Sequence, residues 1–284
     1  MVIKMNFSFD VYMELIYGLD YCINREKNNI KQYNTKENNK YLDEFYNIYL
    51  NNISQEVKDR IEQIGEYHKK AEYILNKKDL SFININAFEH WFEKIKVIQN
   101  RIIEDIKNDK YLENFDLTSL KEFYDMDLGK VEIILSMFIS GGFGLSTDNT
   151  YCILGVKYNS KLEKYRITGT LISKIYHEVS HPYIKKSLLD KKLNIQNNDK
   201  VDKCYKDSRT EELLARIIEI IFASKIYGKE YLSWALKNQE EQGFVSVKKY
   251  IDLYYKNENI IKNFNDLIEL ISEKNESRKK WEKS

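Results

Sequence analysis

Apolar residues recur at steps of three and four positions through residues 9–109, and this spacing predicts a series of amphipathic helices. Two stretches interrupt the pattern. An asparagine-rich segment at residues 28–39 and the segment at residues 81–86 both predict connections between helices. The first part of the chain therefore indicates an array of helices.

The pattern changes after residue 130. An apolar run at residues 131–139 leads into residues 140–144, where three glycines within four positions predict a flexible turn. Residues 151–156 are rich in β-forming side chains and form too short a run for a typical helix, so they predict a strand. A second short strand is expected near residues 165–168.

Helical periodicity then resumes in four segments. The first begins near Thr170, and the others cover residues 208–227, 229–256 and 259–281. One proline and ten glycines are too few for the many turns of an all-β protein. We therefore expect a mainly α fold with a small β-sheet (α+β). A helical region at residues 1–130 should pack with a second region at residues 131–284 as one compact unit.

Charge and composition narrow the classes of function. Lysine plus arginine number 45 against 44 aspartate plus glutamate, and both signs are scattered, so nothing predicts a nucleic-acid partner. No window holds the ~20 apolar residues of a transmembrane helix. Asp10, Glu14 and Asp20 interrupt the first apolar stretch, which argues against a signal peptide. The chain as given is expected in the cytoplasm, although export by another route stays open.

The three cysteines, Cys22, Cys152 and Cys204, are far apart and form no Cys-x-x-Cys pair. They predict ordinary reduced thiols. The chain therefore offers no cysteine-based metal site.

The run His177-Glu178-Val179-Ser180-His181 carries the strongest chemical signal. Residues four apart on a helix project from one face, so His177 and His181 can offer two imidazoles to one zinc ion. Glu178 lies about 100° further around the helix, where its carboxylate can serve as a general base rather than a ligand. Two of only four histidines fall in this motif, which argues against a chance match.

A catalytic zinc site needs a third protein ligand. Glu212 is the first choice, because it lies on the polar stripe of the helix predicted at residues 208–227, and Glu211 and Glu219 remain as alternatives. The other two histidines, His68 and His90, are expected to be surface or packing residues. An oxyanion donor is also needed, and the candidates near the motif are Tyr183, Tyr205 and Tyr227, none of which the pattern singles out.

His177-Glu178-x-x-His181 followed by a glutamate on a later helix resembles the gluzincin branch of the zincin metallopeptidases. A narrower resemblance is to a bacterial family described only as a domain of unknown function. It is carried by residues 11–19, 143–145, 151–155, 175–183 and 212–216. The likeness extends over nearly the whole chain, and it implies a zincin-like catalytic core behind the N-terminal helical array.

By this resemblance, His177, His181 and Glu212 are the zinc ligands and Glu178 is the catalytic base. The chain departs from the pattern at two positions. Pro182 follows the second histidine directly, so we expect the helix to end or kink there. Arg216 stands where thermolysin-like enzymes carry an aspartate that orients a ligand histidine, so the surroundings of the ligands must differ.

The predicted function is zinc-dependent hydrolysis of a peptide or protein substrate by an activated water, with Glu178 as the general base. Two alternatives stay open. One is another zinc-dependent hydrolase, for instance an aminopeptidase. The other is a helical binding protein whose metal site is vestigial, although an intact Glu178 argues against it.

Overall fold

The computed structural model describes residues 5–29, 33, 39–76, 79–112, 115–126, 129–159, 161–166, 170–190 and 209–281. The first helices are α1 (Val11–Glu26), α2 (Lys40–Asn52), α3 (Gln55–Ile64), α4 (Tyr67–Leu75), α5 (Glu89–Lys107) and α6 (Thr118–Tyr124), with a short 3-10 turn at Ile85–Phe88. The later helices are α7 (Leu171–Asp190), α8 (Arg209–Tyr227), α9 (Lys229–Glu241), α10 (Val245–Lys256) and α11 (Phe264–Trp281).

Four strands form the larger sheet: β1 (Asn6–Phe9), β2 (Val131–Ser136), β3 (Gly142–Ser146) and β4 (Thr150–Gly155). Their order across the sheet is β1-β2-β4-β3, with β1, β2 and β4 parallel and β3 antiparallel to β4. A separate hairpin consists of β5 (Lys157–Asn159) and β6 (Lys164–Arg166). The prediction of a mainly helical fold with a small sheet is confirmed.

Several expectations about single elements are also confirmed. The strand predicted at residues 151–156 is β4, and the helix expected near Thr170 is α7. The second strand is β6, which ends at Arg166, and residues 167–169 lie outside the described residues. The segment at residues 229–256 is two helices, because Gly243 between α9 and α10 has a φ of +89°.

Other expectations are wrong, and the reason is long-range pairing. The helical pattern was expected from about residue 9, and α1 begins at Val11; the sequence did not predict β1, which ends at Phe9 and pairs with β2 from far along the chain. The glycine-rich segment at residues 140–144 is not only a turn, because Gly142 begins β3. Glycine weakens a strand in isolation, but here β4 supplies the hydrogen bonds that hold it extended.

The region at residues 1–130 and the region at residues 131–284 share one sheet and one hydrophobic core. Strand β1 precedes residue 130 and the other three strands of its sheet follow it. Helix α1 lies inside the core, and its Cys22, like Cys152 of β4, is a buried free thiol. Cys204 lies outside the described residues. No helix in the described part of the chain is both long and apolar enough to cross a membrane.

Glu14 is a fully buried carboxyl group on α1. It accepts hydrogen bonds at 3.1 and 3.2 Å from the backbone N–H of Met137, the residue after β2. It also forms a hydrogen bond with the side chain of Ser136, the last residue of β2. Burial raises its pKa from 4.5 to about 8, against the opposing effect of these hydrogen bonds. The folded protein therefore holds Glu14 protonated at neutral pH.

We expect the stability of the wild type to fall between pH 5 and pH 8.5 more than that of Glu14→Gln. Because the folded pKa lies above the unfolded one, the stabilisation is complete below about pH 4.5 and is lost as the pH rises through about 8. The full loss is on the order of 5 kcal/mol. Urea unfolding at both pH values measures the part of this loss that falls between them, with exposed Glu240→Gln as control. Parallel pH profiles for wild type and Glu14→Gln would contradict the prediction.

Candidate metal centre

Helix α7 carries both motif histidines on one face, as their four-residue spacing requires. The Nε2 atoms of His177 and His181 lie 3.1 Å apart, and the two rings meet edge-on at 76°. Both side chains are partly buried and line one cleft. The two imidazoles therefore point at a common position in that cleft.

Glu212 reaches the same position from α8, the helix that packs most extensively against α7. Its Oε1 lies 3.6 Å from Nε2 of His177, and its Oε2 lies 3.6 Å from Nε2 of His181. The three side chains can each present a ligand atom within 4.8 Å of the others. The structure thus brings together the three residues that the sequence suggested as ligands.

These distances fit a zinc ion. Two ligands at about 2.0 to 2.1 Å from a tetrahedral zinc ion lie about 3.3 Å apart. The observed separations of 3.1 and 3.6 Å bracket that value. Two imidazoles and one carboxylate are also a known donor set of catalytic zinc, which leaves one position for water or substrate.

A second carboxylate orients each histidine through its other ring nitrogen. Nδ1 of His181 lies 2.9 Å from Oε1 of Glu211, and Nδ1 of His177 lies 3.1 Å from Oε2 of Glu219. Tyr231 of α9 donates its hydroxyl hydrogen to Glu219 over 3.5 Å. Such bonds place the proton on Nδ1 and turn the Nε2 lone pair toward the metal position. In this structure Glu211 and Glu219, the alternative ligands, therefore occupy supporting positions.

Arg216 holds the carboxylate of Glu212 in place. Its Nη2 lies 2.6 Å from Oε1 of Glu212, one helical turn away on α8. The same guanidinium donates to Gln239 at 2.7 Å and packs over the ring of Phe244 at 3.7 Å. Gln239 and Phe244 therefore hold Arg216 in place, and Arg216 in turn holds the carboxylate of Glu212.

Glu178 lies beside His177, His181 and Glu212 but is not one of the three side chains whose ligand atoms converge. Its Oε2 lies 3.9 Å from Nε2 of His181, and only 9% of the residue is exposed. Burial raises the pKa of Glu178, while the positive charges of His177 and His181 oppose the rise. A carboxyl group at this position can exchange a proton with a group bound in the cleft.

The ligand residues form a charge-paired cluster. Burial acts to lower the pKa of His177, but the charge of Glu212 and hydrogen bonds to Glu212 and Glu219 raise it well above its usual value. Burial acts in the opposite direction on Glu212, whose pKa is nonetheless held low by His177 and Arg216. The cluster therefore favours an ionised carboxylate at the position of the third ligand.

We expected α7 to end or kink at Pro182, and it does not end there, because the helix continues to Asp190. Proline has no N–H, so the carbonyl of Glu178 lacks its usual bond within the helix. Gly144 of β3 packs against that carbonyl, and a β-carbon at Gly144 would stand 1.7 Å from its oxygen. The strand and the helix meet so closely only because residue 144 has no side chain.

Strand β3 is the edge of the sheet next to the metal position. The N–H of Gly155 donates to the carbonyl of Gly141 at 2.7 Å, which sets the alternation of the antiparallel pair. The backbone groups of Gly142, Gly144 and Ser146 therefore face away from β4. Within the described residues, no strand pairs with this outer side of β3.

A cleft of about 900 Å³ runs along this edge between α4, β3, α7 and α8. It is lined by His177, Glu178, His181 and Glu212, and also by His68 of α4. His68 was expected to be a surface or packing residue, and it packs against Tyr67 and Phe143. The sequence did not predict its place in the cleft, since no second ligand follows it at useful spacing. The four-residue rule within a helix cannot reveal a partner that comes from another helix.

The tyrosines considered as oxyanion donors point elsewhere. The hydroxyl of Tyr183 is buried 2.6 Å from Thr150, and that of Tyr227 accepts the N–H of Ile172 at 3.3 Å. Neither lines the cleft, and Tyr205 lies outside the described residues. His90, the remaining histidine, is exposed on α5, as expected of a surface residue.

Comparisons with models of protein families, with curated proteins and with solved structures give no match to this chain.

Proposed function

We propose that the chain is a zinc-dependent peptidase with a zincin-like catalytic core of the gluzincin type. The observation that carries the proposal is the convergence of two Nε2 atoms and one carboxylate, with Glu178 beside them but outside the ligand set. The hydrogen bond between Nδ1 of each histidine and a carboxylate supports the proposal further, because such pairs are typical of histidines that bind a metal.

Zinc bound here would supply Lewis acidity, which activates water and polarises the scissile carbonyl. Glu178 would accept the proton of the attacking water on its carboxylate and pass that proton to the leaving amine. Glu211, Glu219 and Arg216 would hold the ligands in place before substrate arrives.

The outer side of β3 supports a peptide as the substrate. An extended chain can add to an exposed sheet edge through backbone hydrogen bonds, and Gly142, Gly144 and Ser146 turn their backbone groups to that side. This would place an amide bond near Glu178, since a β-carbon added at Gly142 would stand 2.9 Å from Oε1 of Glu178. The cytoplasmic location stays a prediction.

The first test is metal content by elemental analysis of protein purified under zinc-replete conditions. We expect one zinc per chain in the wild type and loss of that zinc in Glu212→Ala after dialysis, because two ligands from α7 alone hold zinc weakly. Glu240→Ala, at an exposed position of α9, is the control and should keep its zinc.

A zinc-free wild type would overturn the proposal. Zinc at one per chain without cleavage of any member of a peptide library, read by mass spectrometry, would instead favour the binding protein or a different zinc hydrolase.

A further inference from the structure

His68 lines the cleft from a part of the chain that carries none of the catalytic motif. It lies in the first turn of α4, and its pKa responds to the charges of His181 and Lys185 on α7. It is absent from the group of side chains whose ligand atoms converge. His68 therefore lines the cleft but lies outside the group that could hold a metal ion.

Two aromatic rings hold the imidazole. Its centroid lies 4.0 Å from that of Tyr67 and 4.8 Å from that of Phe143, the latter at an interplanar angle of 67°. Because Phe143 belongs to β3, His68 stands beside the strand whose outer edge is open. A peptide that adds to this edge would pass next to the ring.

Helix α4 is itself anchored in the core. The carbonyl of Tyr67 accepts the hydroxyl hydrogen of Tyr17 at 3.2 Å, and Lys70 forms a buried ion pair with Asp20 at 3.1 Å. Both partners lie on the buried helix α1. The position of His68 is therefore set before any ligand binds, which lowers the entropic cost of using it.

The ring nitrogens of His68 have no hydrogen-bond partner among the described residues. Burial lowers the pKa of His68, and the nearby glutamates Glu66 and Glu72 oppose this only in part. A neutral imidazole has one N–H donor and one acceptor nitrogen. A partly buried ring with both groups unused is suited to bind the backbone of a peptide.

We propose that His68 is a substrate-binding residue, whose ring hydrogen-bonds the backbone of a peptide lying along the outer edge of β3. This inference rests on the proposed peptidase function. It assigns the N-terminal helical region a direct contact with substrate, in addition to its packing against the sheet.

The test compares two kinds of zinc-binding probe by titration calorimetry on the zinc-loaded protein. Acetohydroxamate reaches only the metal. Peptide hydroxamates also occupy the cleft, and a pair is used whose peptide portions extend in opposite chain directions. We expect His68→Ala to weaken at least one peptide hydroxamate by about threefold to tenfold, the loss of one hydrogen bond between neutral groups. Affinity for acetohydroxamate and zinc content should not change.

Two further variants sharpen the result. His68→Gln keeps a side-chain N–H and should recover part of the affinity, whereas a purely packing role would predict no recovery. His90→Ala removes a histidine from the exposed face of α5 and should bind every probe as the wild type does.

Unchanged peptide hydroxamate affinity in His68→Ala would overturn the inference, and so would equal losses for both kinds of probe, since these indicate damage to the metal position. Peptide cleavage by the wild type together with unchanged affinity in His68→Ala would refute the role of His68 alone. Selective weakening in a protein that cleaves no peptide would refute the peptidase and keep the contact. A wild type that binds no zinc would overturn both.

Discussion

Glu178→Gln is expected to keep its zinc and to lose peptide hydrolysis, with kcat reduced by about 10² to 10⁴-fold. Glutamine has nearly the same shape as glutamate but cannot accept a proton on its amide. Because Glu178 lies beside the three ligands and not among them, the metal position should be undisturbed. The measurement pairs kcat on the best library peptide with zinc content of the same preparation.

Glu240→Gln makes the same chemical change at an exposed site and should leave both quantities as in the wild type. Loss of zinc from Glu178→Gln would mean that this carboxylate is a ligand. Retention of more than about a tenth of the activity would remove it as the general base, since such a base contributes at least ~10²-fold.

Gly144→Ala is expected to lower the free energy of unfolding by about 3 kcal/mol or more. The added β-carbon would stand 1.7 Å from the carbonyl oxygen of Glu178 and 3.1 Å from Cδ of Pro182. Backbone atoms cannot rotate away as a side chain can, so β3 and α7 must separate. Urea unfolding followed by circular dichroism measures the loss.

Gly141→Ala is the matched control from the same segment. A β-carbon there meets nothing within 4 Å, so its stability should stay within about 0.5 kcal/mol of the wild type. Equal free energies of unfolding for the two variants would contradict the close approach of Gly144 to α7. Failure of Gly144→Ala to fold, with Gly141→Ala folded, would agree with the prediction.

Local periodicity accounts for what the sequence predicted correctly. The helical repeat alone places His177 and His181 on one face, and an apolar stripe with polar residues opposite predicts α8. The run predicted as a strand at residues 151–156 overlaps β4 (Thr150–Gly155), because its β-branched and aromatic residues suit a pleated, half-buried surface. Each of these inferences depends on neighbours within about one helical turn or one strand.

The ligand choice among Glu211, Glu212 and Glu219 is not local. Glu212 and Glu219 are seven residues apart on one face of α8, about 10 Å along its axis. The rotation and axial position of α8 against α7 decide which carboxylate reaches Nε2 and which reaches Nδ1. Packing of two whole helices sets these quantities, and the spacing of residues within one helix does not contain them.

The sequence by itself determined the helical character of most of the chain, one strand of the larger sheet and the placing of the two histidines on one helix face, because these follow from short-range repeat. Only the tertiary structure decided that β1 pairs with β2, that α7 continues through Pro182 against Gly144, and that His68 enters the cleft. These contacts join residues far apart in the chain. Their free energy comes from shared burial of surfaces, which no local pattern of residues records.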